Sequence, residues 1–161
     1  MIRINRETDY GIGILSLMAR SPGERFNAAW LAENRGLPQP MVSKILKHLA
    51  RAGLLVSYRG AKGGYGLARE ANRITVAEVI TALEGPISLT ECVEEGVDAC
   101  QYSNHCTVST NWSRINTVVR KALAGITLED MSEPGTPVKG DDRQSAVHPL
   151  EFAGVRYVSD H

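Results

Sequence analysis

The chain has 161 residues, 43% of them apolar and 6% aromatic, which suits one domain of ordinary size with a real core. No stretch approaches the ~20 apolar residues of a membrane span, and Met1 to Arg6 is not followed by the apolar run of a secretion signal, so the reading predicts a cytoplasmic protein with no membrane partner. A formal net charge of zero hides an asymmetry: residues 1–73 carry 12 Lys and Arg against 5 Asp and Glu, and residues 74–161 carry 6 against 13. A basic N-terminal half predicts one face for a polyanion, and the acidic half predicts a different task.

Residues 7–20 predict a first helix, with Ile12, Ile14, Leu15, Leu17 and Met18 as its apolar side and Ser21-Pro22-Gly23 as its stop. Asp9 stands in its first turn, where a carboxylate interacts favourably with the helix dipole. Asn27 is the expected N-cap of a short helix, Ala28 to Arg35, closed by Gly36. Leu37-Pro38-Gln39-Pro40 leads into a second, longer helix that runs to about Ala52 and ends at Gly53.

The two make a helix-turn-helix pattern. Val42, Ile45, Leu46 and Leu49 share one face of the second helix, while Gln39, Ser43, Lys44, Lys47 and Arg51 fall mainly on the other. Polar and basic groups on the outer face are what a helix needs to read base edges and touch phosphates. Leu54 to Tyr58 then predicts a strand, Arg59-Gly60-Ala61-Lys62-Gly63-Gly64 a turn, and Tyr65-Gly66-Leu67 the returning strand. Glycines allow close backbone approach to a phosphate or a groove, so this hairpin, with Arg59, Lys62 and Gly63 at its tip, is a wing. An ATPase phosphate loop is excluded, because the G-x-x-x-x-G-K-[ST] pattern and the following helix are both missing. The fold class expected is mainly α with a small β-wing: a winged helix-turn-helix plus a long dimerisation helix.

Thr75-Val76-Ala77-Glu78 is a capping box that opens a helix through Leu83 to Gly85-Pro86. Next comes the segment that holds all three cysteines, Cys92, Cys100 and Cys106. Glu91, Glu94, Glu95 and Asp98 surround them, which is poor company for buried core thiols and for low-pKa redox thiols. A metal or iron–sulfur group that deprotonates the thiols offsets this repulsion, with a redox disulfide or incidental cysteines as the alternatives. An odd cysteine count without a secretion signal again points to a reducing compartment.

Trp112, Ile115, Val119, Ala122 and Ile126 recur along a helix of about 108–124, an apolar stripe whose economical partner is a second copy of the chain, with packing back on its own domain as the alternative. Thr127-Leu128-Glu129-Asp130 starts one more turn, and from Ser132 on the sequence predicts a disordered tail. The expected organisation is therefore a winged DNA-binding domain at 1–85, a cysteine segment at 86–107, a dimerisation helix at 108–131 and a tail at 132–161. The sequence shows no paired acid and base, so neither catalysis nor a small-molecule substrate is expected.

The order of helix, helix-turn-helix, wing and three-cysteine segment before a long helix resembles the Rrf-two family of winged-helix regulators, over about residues 1–131. The most specific stretches are R-G-A-K-G-G-Y-G-L at Arg59–Leu67, V-A-E-V-I at Val76–Ile80 and the cysteines. T-D-Y-G-I at Thr8–Ile12, A-L-E-G-P-I at Ala82–Ile87 and L-T-E-C at Leu89–Cys92 look like the subgroup that regulates the SUF cluster-assembly operon. The resemblance implies a homodimeric transcriptional regulator, of repressor type, that binds operator DNA under control of an iron–sulfur cluster. It carries the ligand role onto Cys92, Cys100 and Cys106, with a first gap two residues longer than in well-known members. Where IscR-like members have a ligating His, this chain has Ser109, with His105 nearby. NsrR-like members use an Asp of the other subunit, and Asp9 matches that position.

Overall fold

The computed structural model describes residues 3–61, 63–90, 93 and 107–132. Helix α1, Arg6–Ala19, is capped by Asn5, whose Oδ1 accepts the Thr8 N–H at 2.8 Å. The cap thus lies four residues ahead of Asp9, which stands in the first turn as expected. Helix α2, Ala28–Arg35, begins as expected at Asn27, which accepts the Trp30 N–H at 2.8 Å. It ends at Gly36, whose φ of 62° is the left-handed turn that a residue with a side chain adopts only at a cost. The Leu37 N–H then reaches back to the Ala32 carbonyl at 2.9 Å and closes the helix end. That closure aims the chain into α3, Gln39–Arg51.

Strands β1, Leu55–Tyr58, and β2, Gly64–Leu67, pair antiparallel from Leu55 opposite Leu67 to Tyr58 opposite Gly64. Phe26 adds a bridge to the outer side of β2, exchanging hydrogen bonds with Tyr65 at 2.9 and 2.8 Å. The hairpin is thereby fastened to the segment that precedes α2. A single 3-10 turn, Ala71–Arg73, leads to α4, Val76–Glu84. Thr75 and Glu78 form the reciprocal capping box, with N–H to oxygen distances of 2.9 and 3.2 Å.

Helix α5, Ser109–Ala124, matches the long helix expected from the sequence, and α6, Leu128–Ser132, supplies the extra turn. After α5 the chain comes back to the first module. The Val76 N–H donates to the Ile126 carbonyl and the Leu128 N–H to the Ile74 carbonyl, each at 2.9 Å. Leu128 is completely buried beside Ile14 and Leu15 of α1, Leu31 of α2, Ile45, Leu46 and Leu49 of α3, and Ile74 and Val79. Full burial of such a side chain contributes about 1.5–3 kcal/mol, so this cluster is the main source of stability. Among the described residues no helix is long and apolar enough to cross a membrane.

Candidate nucleic-acid interface and metal centre

The apolar face of α3, Val42, Ile45, Leu46 and Leu49, is fully buried. Helical spacing therefore forces Pro40, Ser43, Lys44, Lys47, His48 and Arg51 to the outside, where they line one shallow concavity of about 430 Å³. Four of the five α3 residues expected to meet DNA are brought together there. The fifth, Gln39, is exposed at the first position of the helix. His48 is an addition that its position one residue from Lys47 did not single out.

Lys44 is not an unattended cation. Its Nζ lies 2.9 Å from Glu7 Oε2, across from α1. The other carboxylate oxygen of Glu7 is buried, has no hydrogen-bond donor among the described residues, and faces His48 Nδ1 at 3.5 Å. Lys47 and Arg51 are exposed. Nothing in the local sequence announces the Glu7 contact, because its partners are 37 and 41 residues away.

At the wing, Arg59 is exposed at the turn. Gly63 donates its N–H to the Gly60 carbonyl at 2.8 Å, and a Cβ there would lie 2.6 Å from the Tyr58 carbonyl oxygen. Only glycine fits that turn. Lys62 lies outside the described residues. Arg25 was not foreseen: its guanidinium stacks on the Tyr58 ring, 3.8 Å from the centroid, and adds a fixed positive charge beside β1.

Of the candidate metal ligands, Cys92, Cys100 and Cys106, together with His105, lie outside the described residues. What the structure describes is how the segment that holds them is anchored. Asn116, buried in the middle of α5, donates Nδ2–H to the Ile87 carbonyl at 3.1 Å and accepts the Leu89 N–H at 3.2 Å. The segment therefore leaves from a point fixed to α5 and returns into α5 itself at Ser109. Asp9 is exposed in the first turn of α1. That turn is joined to the end of α4 by the Asn5 N–H, which donates to Glu84 Oε1 at 3.0 Å. Three thiols are donors of the type an iron–sulfur group takes, and a carboxylate would be a harder, more weakly held addition to them.

Comparison with known proteins agrees with this geometry. A family model described as an iron-dependent transcriptional regulator, Rrf2, matches residues 4–134. The HTH-type transcriptional regulator CymR of Bacillus subtilis is 33% identical over 132 residues, spanning 81% of this chain and 90% of its own. The HTH-type transcriptional regulator IscR of Xenorhabdus nematophila is 31% identical over 116 residues, spanning 72% and 70%. Among solved structures, that of B. subtilis CymR, described as the global cysteine regulator, superposes with a TM-score of 0.64 at 32% identity, covering 82% of this chain and 97% of CymR. IscR of T. potens superposes with a TM-score of 0.61 at 26% identity, covering 86% and 94%. With its winged helix-turn-helix, its basic α3 face and a family match across all the described helices, the chain belongs to the Rrf2 family of DNA-binding transcriptional regulators.

Proposed function

We propose that this protein is an iron–sulfur-dependent, homodimeric transcriptional regulator, controlling genes of SUF cluster assembly or of iron and redox stress. The observation that carries the reading is the three-cysteine segment, tied at its departure to Asn116 of α5 and running directly into that helix. Cys92, Cys100 and Cys106 would hold the cluster, with Asp9 of the second subunit as the fourth ligand. An oxygen ligand is held weakly by such a group, which suits a sensor. When bound, the cluster supplies a link between segments that depends on iron and on oxidation state.

The protein's own residues transmit the effect. The first turn of α1 holds Asp9 and, two residues earlier, Glu7, which reaches Lys44 of α3. Val108, just ahead of α5, and Trp112, Ile115 and Val118 on it face the exterior, and Val118 is 66% exposed, which suits a two-fold helix contact. The relative placement of the two α3 helices must match half-sites about 34–36 Å apart. Gln39, Ser43, Lys44 and Arg59 would meet bases or nearby backbone. Lys47, Arg51, Lys62 and Gly63 would meet phosphates.

The test compares binding of one duplex, selected from a randomised pool, by protein isolated without oxygen and by the same protein after iron removal with a chelator. A change in affinity of tenfold or so is expected, which corresponds to a coupling free energy of about 1.4 kcal/mol. Equal affinity in both states would remove the cluster from the account. A second reading, a switch by thiol oxidation at the same cysteines, is favoured by the likeness to CymR, described as a global cysteine regulator. It predicts colourless protein and disulfide-linked species. A structural zinc site predicts colourless protein indifferent to oxidant.

A further inference from the structure

Glu7 places an acidic group against the helix that is meant to meet a polyanion. Its carboxylate is 28% exposed, with Oε1 buried, whereas the Lys44 side chain is 60% exposed. The carboxylate is therefore the fixed partner and the lysine the mobile one. Non-specific DNA binding comes almost wholly from cations that replace condensed counterions on phosphates. A lysine already neutralised by a neighbouring carboxylate contributes little to that, and the carboxylate repels phosphate besides. A cognate duplex also offers base-edge acceptors, and hydrogen bonds to them offset the loss of the ion pair.

We propose that Glu7 is a specificity-determining residue of the DNA interface. It holds Lys44 and faces His48, so that these two groups of α3 engage a duplex whose bases receive them and not any passing phosphate. Lys47 and Arg51, on the same concavity and exposed, remain the general phosphate contacts. The proposal rests on α3 being the reading helix, and the experiment separates the two claims.

Affinities are measured by fluorescence anisotropy against a random-sequence duplex and against the tightest duplex that the wild-type protein selects from a randomised pool, over a range of salt. Glu7→Gln should bind the random duplex more tightly at low salt, with the slope of log K against log salt steeper by about 0.9 for one added phosphate contact. Its advantage over wild type should thus shrink about threefold between ~50 and ~200 mM salt, and the selected-to-random affinity ratio should fall. Adding Lys44→Ala to Glu7→Gln should remove most of the increment, leaving only the part that comes from lost carboxylate repulsion. Lys44→Ala alone should reduce the random-duplex slope much less than Lys47→Ala does. Unchanged random-duplex affinity and slope in Glu7→Gln, or an increment undiminished by removal of Lys44, would overturn the proposal. Lys47→Ala without effect on either duplex would instead overturn the assignment of α3.

Discussion

Asn116 takes hold of Leu89 across 27 residues of sequence, accepting its N–H at 3.2 Å while donating to the Ile87 carbonyl at 3.1 Å. This side chain is 4% exposed, so its own amide depends on these two backbone groups and not on water, while Ile87 and Leu89 are half-buried. An unpaired buried polar group costs about 1–3 kcal/mol. Asn116→Leu, which keeps the branched heavy-atom shape and removes both hydrogen bonds, should destabilise by about 1–3 kcal/mol on that basis. A urea midpoint equal to that of wild type would contradict the anchoring role.

The capping box of α4 makes a prediction with a sign in pH. Burial pushes the Glu78 carboxyl up, but the Thr75 N–H, Arg69 and the Thr75 hydroxyl donate to it, and Arg69 adds its charge. Together these hold it below its ordinary value of 4.5. A carboxylate depressed in the folded state gives stability that is fully present above the unfolded value and is lost as pH falls through the folded one. Glu78→Gln should therefore be less stable than wild type at neutral pH, and the gap should close in acid. Thr75→Ala should cost about 1 kcal/mol at pH 7. A gap that widens in acid would contradict the assignment.

Lys47 is exposed on the α3 concavity, and among the described residues it has no acidic partner of the kind that Lys44 has in Glu7. Lys47→Ala should weaken selected and random duplexes alike and flatten the salt slope by about 1. Loss confined to the selected duplex would make it a base contact instead.

The exposed face of α5 predicts the oligomeric state. Val118→Asp places a charge at the most exposed of its apolar side chains and should convert the proposed dimer into monomers in sedimentation velocity. The same variant sedimenting as the wild type would move the dimer contact elsewhere.

How much of this was legible in the sequence follows the range of each interaction. Asn27, Gly36 and the Thr75–Glu78 box act over three or four residues, so their side chains announce α2 and α4 directly. The outer face of α3 was equally plain, because periodicity alone separates Val42, Ile45, Leu46 and Leu49 from Ser43, Lys47 and Arg51. The α5 stripe was legible only in part: Ile126 turns in to pair with Val76, while Val118, absent from the stripe as read, is the most exposed. Periodicity does not say where one helix face stops meeting its own core. Glu7 and Asn116 carried no signal, since each is one polar residue whose partner the fold delivers from at least 27 residues away. The cysteines were conspicuous by composition, and their arrangement in space falls outside the described residues.

The proposed cluster is tested by a visible absorption spectrum of protein purified without oxygen. Iron and sulfide analysis should accompany it, with Cys92→Ala alongside. Wild-type protein should be brown and contain iron and sulfide, with both lost in Cys92→Ala. A colourless wild-type protein without iron or sulfide, even after anaerobic reconstitution, would contradict the cluster reading and leave a DNA-binding regulator switched by thiols or zinc.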